Sequence, residues 1–142
     1  MYRHIFLYLF LIVLIGCSDQ DDELQPITQP DWTQKEFSIN YGGLSRRYTL
    51  YKPKSYSENS PLLFMLHGFG SNMNNILAYS KMNDIADQNG FMVCYPQGTT
   101  LVTGQTHWNA NLQMSTVNDI DFLSFLALKI QEEFKTSVDN IF

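Results

Sequence analysis

Pro61-Leu62-Leu63-Phe64-Met65-Leu66-His67-Gly68-Phe69-Gly70 is the stretch from which the rest of the chain can be read. Pro61 is tolerated at a strand start, and the five apolar residues behind it run without alternation, as in a strand buried on both faces of a parallel sheet. A central strand is therefore expected here. It breaks off into His67-Gly68-Phe69-Gly70, where two glycines let the backbone bend sharply and leave amides uncovered by side chains. Amides uncovered in this way can hold an anion.

Upstream of that stretch, Phe37, Ile39 and Tyr41 alternate with polar residues, Gly42-Gly43 supplies a turn, and Tyr48 and Leu50 belong to a second alternating run closed by Pro53. This spacing predicts a β-hairpin. Downstream, Ser71 to Asn75 is rich in turn and capping residues. Met82, Ile85 and Ala86 then recur at helical spacing, with Ser80 as N-cap and Gly90 as C-cap. Phe91-Met92-Val93-Cys94-Tyr95, ended by Pro96, reads as the next buried strand, parallel to the first because a helix separates them. The class is α/β.

Residues 97–117 carry glycines and repeated Thr and Asn with no sustained period, and they contain the pair His107-Trp108. Long loops of this kind are often functional. From Asp119, residues Ile120, Leu123, Ala127, Ile130 and Phe134 are expected on one helical face, with Asn118 as N-cap and Asp119 and Asp121 in the first turn, where the helix dipole favours acids. Asp139-Asn140-Ile141-Phe142 begins what reads as another buried strand.

At the other end, Arg3 and His4 precede an apolar run from Ile5 to Ile15, too short for a membrane span of roughly 20 residues. It reads as a secretory signal. The run closes on Leu14-Ile15-Gly16-Cys17, which resembles the lipobox of bacterial lipoproteins; by that resemblance residues 1–16 are the signal peptide and Cys17 is the acylated anchor. The alternative is an ordinary leader or an N-terminal anchor helix with an incidental cysteine. Residues 17–34 hold Asp19, Asp21, Asp22, Glu23, Pro26 and Pro30 and read as an acidic, solvated tether. Residues 35–142 form the folded domain.

The chain has 142 residues, a hydrophobic fraction of 44%, a charged fraction of 16% and a formal charge of −5. An acidic balance argues against a nucleic-acid partner. The two cysteines, Cys17 and Cys94, lie in a leader end and an apolar strand, so a disulfide is not expected and Cys94 reads as a buried thiol. No zinc-type cluster, P-loop or dinucleotide fingerprint occurs, and neither a metal nor a cofactor is expected.

The combined order of hairpin, apolar strand, His67-Gly68-Phe69-Gly70, helix, Gly90-Phe91-Met92-Val93-Cys94-Tyr95-Pro96-Gln97-Gly98, His107-Trp108-Asn109-Ala110 and Asn118-Asp119-Ile120-Asp121-Phe122-Leu123 resembles the secreted polyhydroxybutyrate depolymerase and feruloyl or acetylxylan esterase family of α/β-hydrolases. The resemblance covers residues 37–142. It implies an edge hairpin followed by parallel strands with crossover helices, and a Ser-His-Asp mechanism acting on polyester or plant cell-wall esters outside the cytoplasm, either lipid-anchored or secreted. It implies that Phe69 supplies an oxyanion-hole backbone N–H, with His67, Gly68 and Gly70 shaping the loop.

In that family a Gly-x-Ser-x-Gly nucleophile elbow follows the strand beginning near Ile141, and the acid and base come later. None of these occurs here, and the fold usually needs roughly 200 residues or more. The chain is therefore expected to be the N-terminal part of such an enzyme and inactive alone. His67 as a catalytic base is set against a histidine that fixes the turn by hydrogen bonding, and the latter is preferred. Trp108 is either a stacking platform for an acyl group or sugar ring or an anchor tying the loop down, and Asn109 is a further substrate-binding candidate. Asp119 and Asp121 lie two apart on a helix and diverge, so helix capping is preferred to a carboxylate pair or metal site. Two other functions are a non-catalytic lipid-anchored binding module and a lipase or peptidase of the same fold.

Overall fold

The computed structural model describes residues 32–109 and 113–142, and the expectations placed on residues 1–31, including the signal sequence, the Cys17 anchor and most of the tether, lie outside them. The hairpin forms as expected: β1 (Gln34–Tyr41) pairs antiparallel with β2 (Leu44–Tyr51), and Gly42 and Gly43 take the positive φ angles its two-residue turn demands. Trp32 lies ahead of β1 and packs edge-on to Phe37, with ring centroids 5.4 Å apart.

β3 is shorter than the sequence suggests. Only Leu62–Phe64 pair as a strand, parallel to β4 (Met92–Pro96), and Leu66 is already exposed. The chain turns away early to form the His67 loop: Met65 N–H still donates to Cys94 O of β4 at 2.9 Å, and Leu66 leaves the sheet. The sheet order is β1-β2-β4-β3, with β2 antiparallel to β4. On the other side of β3, Leu62 bridges Ile141 in parallel, and Phe64 N–H donates to Phe142 O at 2.7 Å. The strand expected at Ile141 thus begins beside β3, which ends the four-stranded order and has Ile141 as its bridged neighbour on the far side, so that β4 rather than β3 is interior to that order.

Strand alternation sorts the core into two layers. Met92 and Cys94 of β4 join Tyr48, Leu50 and Leu62 against Phe122, Leu126, Ile130 and Phe134 of α3 (Asp119–Phe134). Val93 and Tyr95 face the opposite way, onto Met73 and Ile76 of α1 (Met73–Ser80) and Ala86 of α2 (Met82–Asn89). Helices on both faces of a largely buried sheet make a three-layer α/β arrangement. Cys94, a free thiol at the centre, is held well above the ordinary cysteine range by burial.

Three local expectations are corrected. The expected helix through Met82, Ile85 and Ala86 is α2 and ends at Gly90 as read, but its N-cap is Lys81 in a left-handed conformation (φ 56°) rather than Ser80, whose Oγ accepts Met82 N–H at 3.3 Å; a further helix, α1, precedes it, capped by Asn72, which accepts Asn75 N–H at 2.9 Å. α3 starts at Asp119 behind its Asn118 cap as read, but Ile120 is exposed and the core face is Phe122, Leu126, Ile130 and Phe134. Residues 97–117 are not without secondary structure: β5 (Thr99–Thr100) pairs with β6 (Thr106–His107).

Candidate functional site

His67, Gly68, Phe69 and Gly70 lie past the C-terminal end of β3, where open α/β sheets place their ligands. His67 is buried, 2% exposed, while Phe69 stands out of the surface at 62%. The imidazole Nε2 accepts Gly98 N–H at 3.0 Å, with the Gln97 amide nitrogen also 3.0 Å away, and Nδ1 lies 2.8 Å from Gly68 O. An acceptor at Nε2 and a donor at Nδ1 define one neutral tautomer. The ring therefore ties the turn to the loop after β4, as a turn-fixing histidine should, and both nitrogens are occupied.

The backbone of the turn is partly satisfied. Gly70 N–H donates to Thr106 O at 2.8 Å and Ser71 N–H to Gly68 O at 3.1 Å. Thr106 Oγ1 donates to Ser71 O, adding a second link between β6 and the turn. The Gly68 and Phe69 N–H groups have no acceptor among the described residues. They are the backbone donors of the turn whose capacity is unused among the described residues. Gly98 has to be glycine for a different reason, since a Cβ there would sit 2.4 Å from His107 O and 3.2 Å from the His67 ring.

Trp108 packs against this histidine, with ring centroids 5.2 Å apart at 41°, and its indole N–H donates to His67 O at 3.0 Å. Its polar atom is thus spent on anchoring the turn. Asn109 is turned inward: its side-chain amide donates to Ser115 O at 2.8 Å and Val117 O at 2.9 Å, while Oδ1 is buried with no partner among the described residues. His107 is buried and tied at both nitrogens, Nδ1 at 3.1 Å from Thr99 O and Nε2 at 2.8 Å from Ser115 Oγ.

The two first-turn acids of α3 have different roles. Asp121 belongs to the cap, its N–H donating to Asn118 Oδ1 at 3.1 Å and its carboxylate taking the Asn118 amide at 2.6 Å. Asp119 corrects the capping expectation. It is 2% exposed, and its Oδ1 meets the Arg46 guanidinium at 2.7 Å while Oδ2 accepts Asn109 N–H at 2.7 Å. Arg46 was not singled out in the sequence. Its only sequence signal is a second cation beside Arg47 in a strand, where one of two neighbours must point inward. Gln97 was also missed; its Oε1 accepts Met73 N–H at 3.0 Å, linking α1 to the histidine.

No protein-family profile matches the sequence. A bifunctional acetylxylan esterase/xylanase of Neocallimastix patriciarum is 27% identical over 100 residues, which cover 70% of this chain and 14% of that protein. Among solved structures, an S-formylglutathione hydrolase from Agrobacterium tumefaciens superposes with a TM-score of 0.62 at 14% identity, over 81% of this chain and 50% of that one. The apo S-formylglutathione hydrolase of Staphylococcus aureus gives 0.51 at 18% identity over 73% and 43%. An alpha-beta serine hydrolase homologue from Coxiella burnetii gives 0.52 at 13% identity over 75% and 49%. These likenesses show the fold: the described residues form part of an α/β-hydrolase fold. The chain spans about half the length of the structural relatives and a smaller share of the sequence relative.

Proposed function

We propose that this chain supplies the oxyanion side of a carboxylic ester hydrolase of the polyhydroxybutyrate depolymerase and feruloyl or acetylxylan esterase type. The observation that carries the reading is the turn after β3, where Phe69 presents an unspent backbone N–H on an exposed residue while His67 holds the loop from beneath. A carbonyl oxygen gains negative charge as its carbon is attacked, and donors fixed in advance stabilise that charge without reorganisation. Similarity to a protein named as an acetylxylan esterase supports an ester as the substrate class. In this reading the Ser-His-Asp triad comes from the half of the fold that the relatives possess outside the matched region, and the 142 residues alone do not turn over substrate. His67 shapes the turn and is not the base, because both ring nitrogens are engaged. Trp108 adds an aromatic face near the mouth, the chemistry calls on no cofactor, and lipidated Cys17 holds the enzyme on a membrane outside the cytoplasm.

The test is hydrolysis of p-nitrophenyl acetate, methyl ferulate and acetylated xylan by protein expressed with the downstream coding sequence included. Turnover abolished by a fluorophosphonate is expected. Phe69→Pro, which deletes the N–H, should lower kcat about 10²–10³-fold, roughly 2.7–4 kcal/mol, with an unchanged circular dichroism spectrum. A folded variant with unaltered kcat removes Phe69 from the mechanism. A folded parent that hydrolyses none of these esters would falsify the esterase reading in favour of a binding module. For the anchor, Cys17→Ser should shift the protein from the detergent to the aqueous phase; equal partitioning of parent and variant rules the lipid out.

A further inference from the structure

We infer that the buried Arg46–Asp119 pair is a positioning device for the His67–Phe69 turn. Its catalytic consequence rests on the function proposed above, but its effect on the turn does not. Both side chains are 3% exposed, and the guanidinium carbon lies 3.8 Å from the centre of the Phe122 ring, so the pair sits on the core rather than in solvent. Two routes lead from it to the histidine. On one, Asp119 Oδ2 fixes Asn109 N–H at 2.7 Å, which sets the adjacent Trp108, whose indole donates to His67 O at 3.0 Å. On the other, Arg46 reaches Gln97 O at 3.4 Å, and Gln97 and its neighbour Gly98 hold His67 Nε2.

Stability alone does not account for such a pair, because two well-packed apolar side chains often serve a core equally well or better. What apolar side chains cannot supply is the division of the carboxylate, with one oxygen on Arg46 and the other on the Asn109 backbone. That second bond is independent of the cation and runs toward the turn. The hairpin strand β2, the start of α3 and the loop after β6 are thereby held in one register with the residue that supports Phe69. Arg46 and Asp119 touch no substrate in this arrangement; they act through Trp108 and Gln97.

The experiment uses the full-length protein labelled with 5-fluorotryptophan, the Trp108 fluorine line being assigned by its loss in Trp108→Phe. Arg46→Met, Asp119→Leu and the double variant are compared by thermal melting, by that line and by kcat and KM on p-nitrophenyl acetate. Each single variant should melt lower, since it strands a buried charge or its partner. The double variant should recover the melting temperature, yet keep a displaced Trp108 line and a kcat lowered about 10²-fold with KM little changed, the penalty of a misplaced catalytic group. Recovery of the melt together with the parent line and parent kcat overturns the inference and leaves the pair a packing feature. Should the double variant not fold, benzothienylalanine in place of Trp108 tests the last link: it keeps a bicyclic ring against His67 and puts sulfur where the N–H was, so kcat should fall while the melt holds. A folded benzothienylalanine variant with parent kcat also overturns it. If the parent shows no ester turnover, the esterase reading fails and the fluorine line alone decides this one.

Discussion

Around His67 nearly every polar atom has a partner, whereas the groove bounded by Phe64, Leu123, Ala127, Leu128, Ile141 and Phe142, about 490 Å³ in volume, offers mainly apolar surface. The two regions flank the same strand. Apart from the Gly68 and Phe69 N–H groups and Asn109 Oδ1, one is closed within the described residues: histidine, indole, amide and carboxylate bond to one another and to the backbone across loops far apart in sequence. The other leaves Leu128 65% and Phe142 70% exposed beside the bridge from Leu62 to Ile141. Contiguous apolar surface of this kind marks a place where something packs. The contrast separates two physical tasks. Fixing a donor in space requires saturated hydrogen bonding nearby, while stabilising the sheet depends on apolar area being covered.

The largest test of this contrast is to express residues 17–142 alone. The uncovered groove and the short pairing at Ile141 should make this chain bind a hydrophobic dye and elute as aggregates, with no ester hydrolysis above background. A monodisperse, dye-silent monomer would show that the groove is not the weak flank. Leu128→Glu should lower the dye signal without touching the His67 end, and an equal signal would place the sticky surface elsewhere.

A smaller effect is expected at the saturated end. Gly98→Ala places a methyl group against His107 O and should cost about 1–3 kcal/mol, read as a lower melting temperature in the full-length protein. Gly68→Ala, two residues before the exposed turn glycine, meets nothing within 4 Å and should stay within about 0.5 kcal/mol. Equal losses at the two glycines would mean that the close approach at Gly98 is relieved by movement. The smallest effect belongs to the hairpin surface. Arg47 and Glu36 pair at 2.6 Å but are about half exposed, so Glu36→Ala should change stability by roughly 0.2–1 kcal/mol at most, less in high salt.

The sequence made the periodic elements legible and hid the contacts between them. The hairpin, the parallel β3–β4 pair, the Asn118 cap and the strand starting at Ile141 all follow from alternation, spacing and capping chemistry. Helix α1 was not readable, because the polar residues from Ser71 to Asn75 read as a turn and no glycine or proline announces the left-handed Lys81 that ends it. The inner face of α3 was misjudged because apolar residues cover more than half of its circumference, so that Ile120 and Phe122 both fit a helical stripe. At the site, His67 as a loop-fixing residue came from its place beside two glycines. The Arg46–Asp119 pair spans 73 positions of sequence and has no local pattern at all. Only folding brings those charges together.

Cys94 offers a way to time the sheet itself. Its sulfur lies in the central strand with no exposed surface, between the hairpin and α3, and burial keeps it in the unreactive thiol form. A thiol reagent can reach it only when β4 parts from its neighbours, so in protein whose Cys17 is blocked or removed the labelling rate counts those openings. Where reclosing outruns the reagent, that rate reports the free energy of opening. The molecule thus carries its own clock, wound at a strand whose buried side chains enter both core layers.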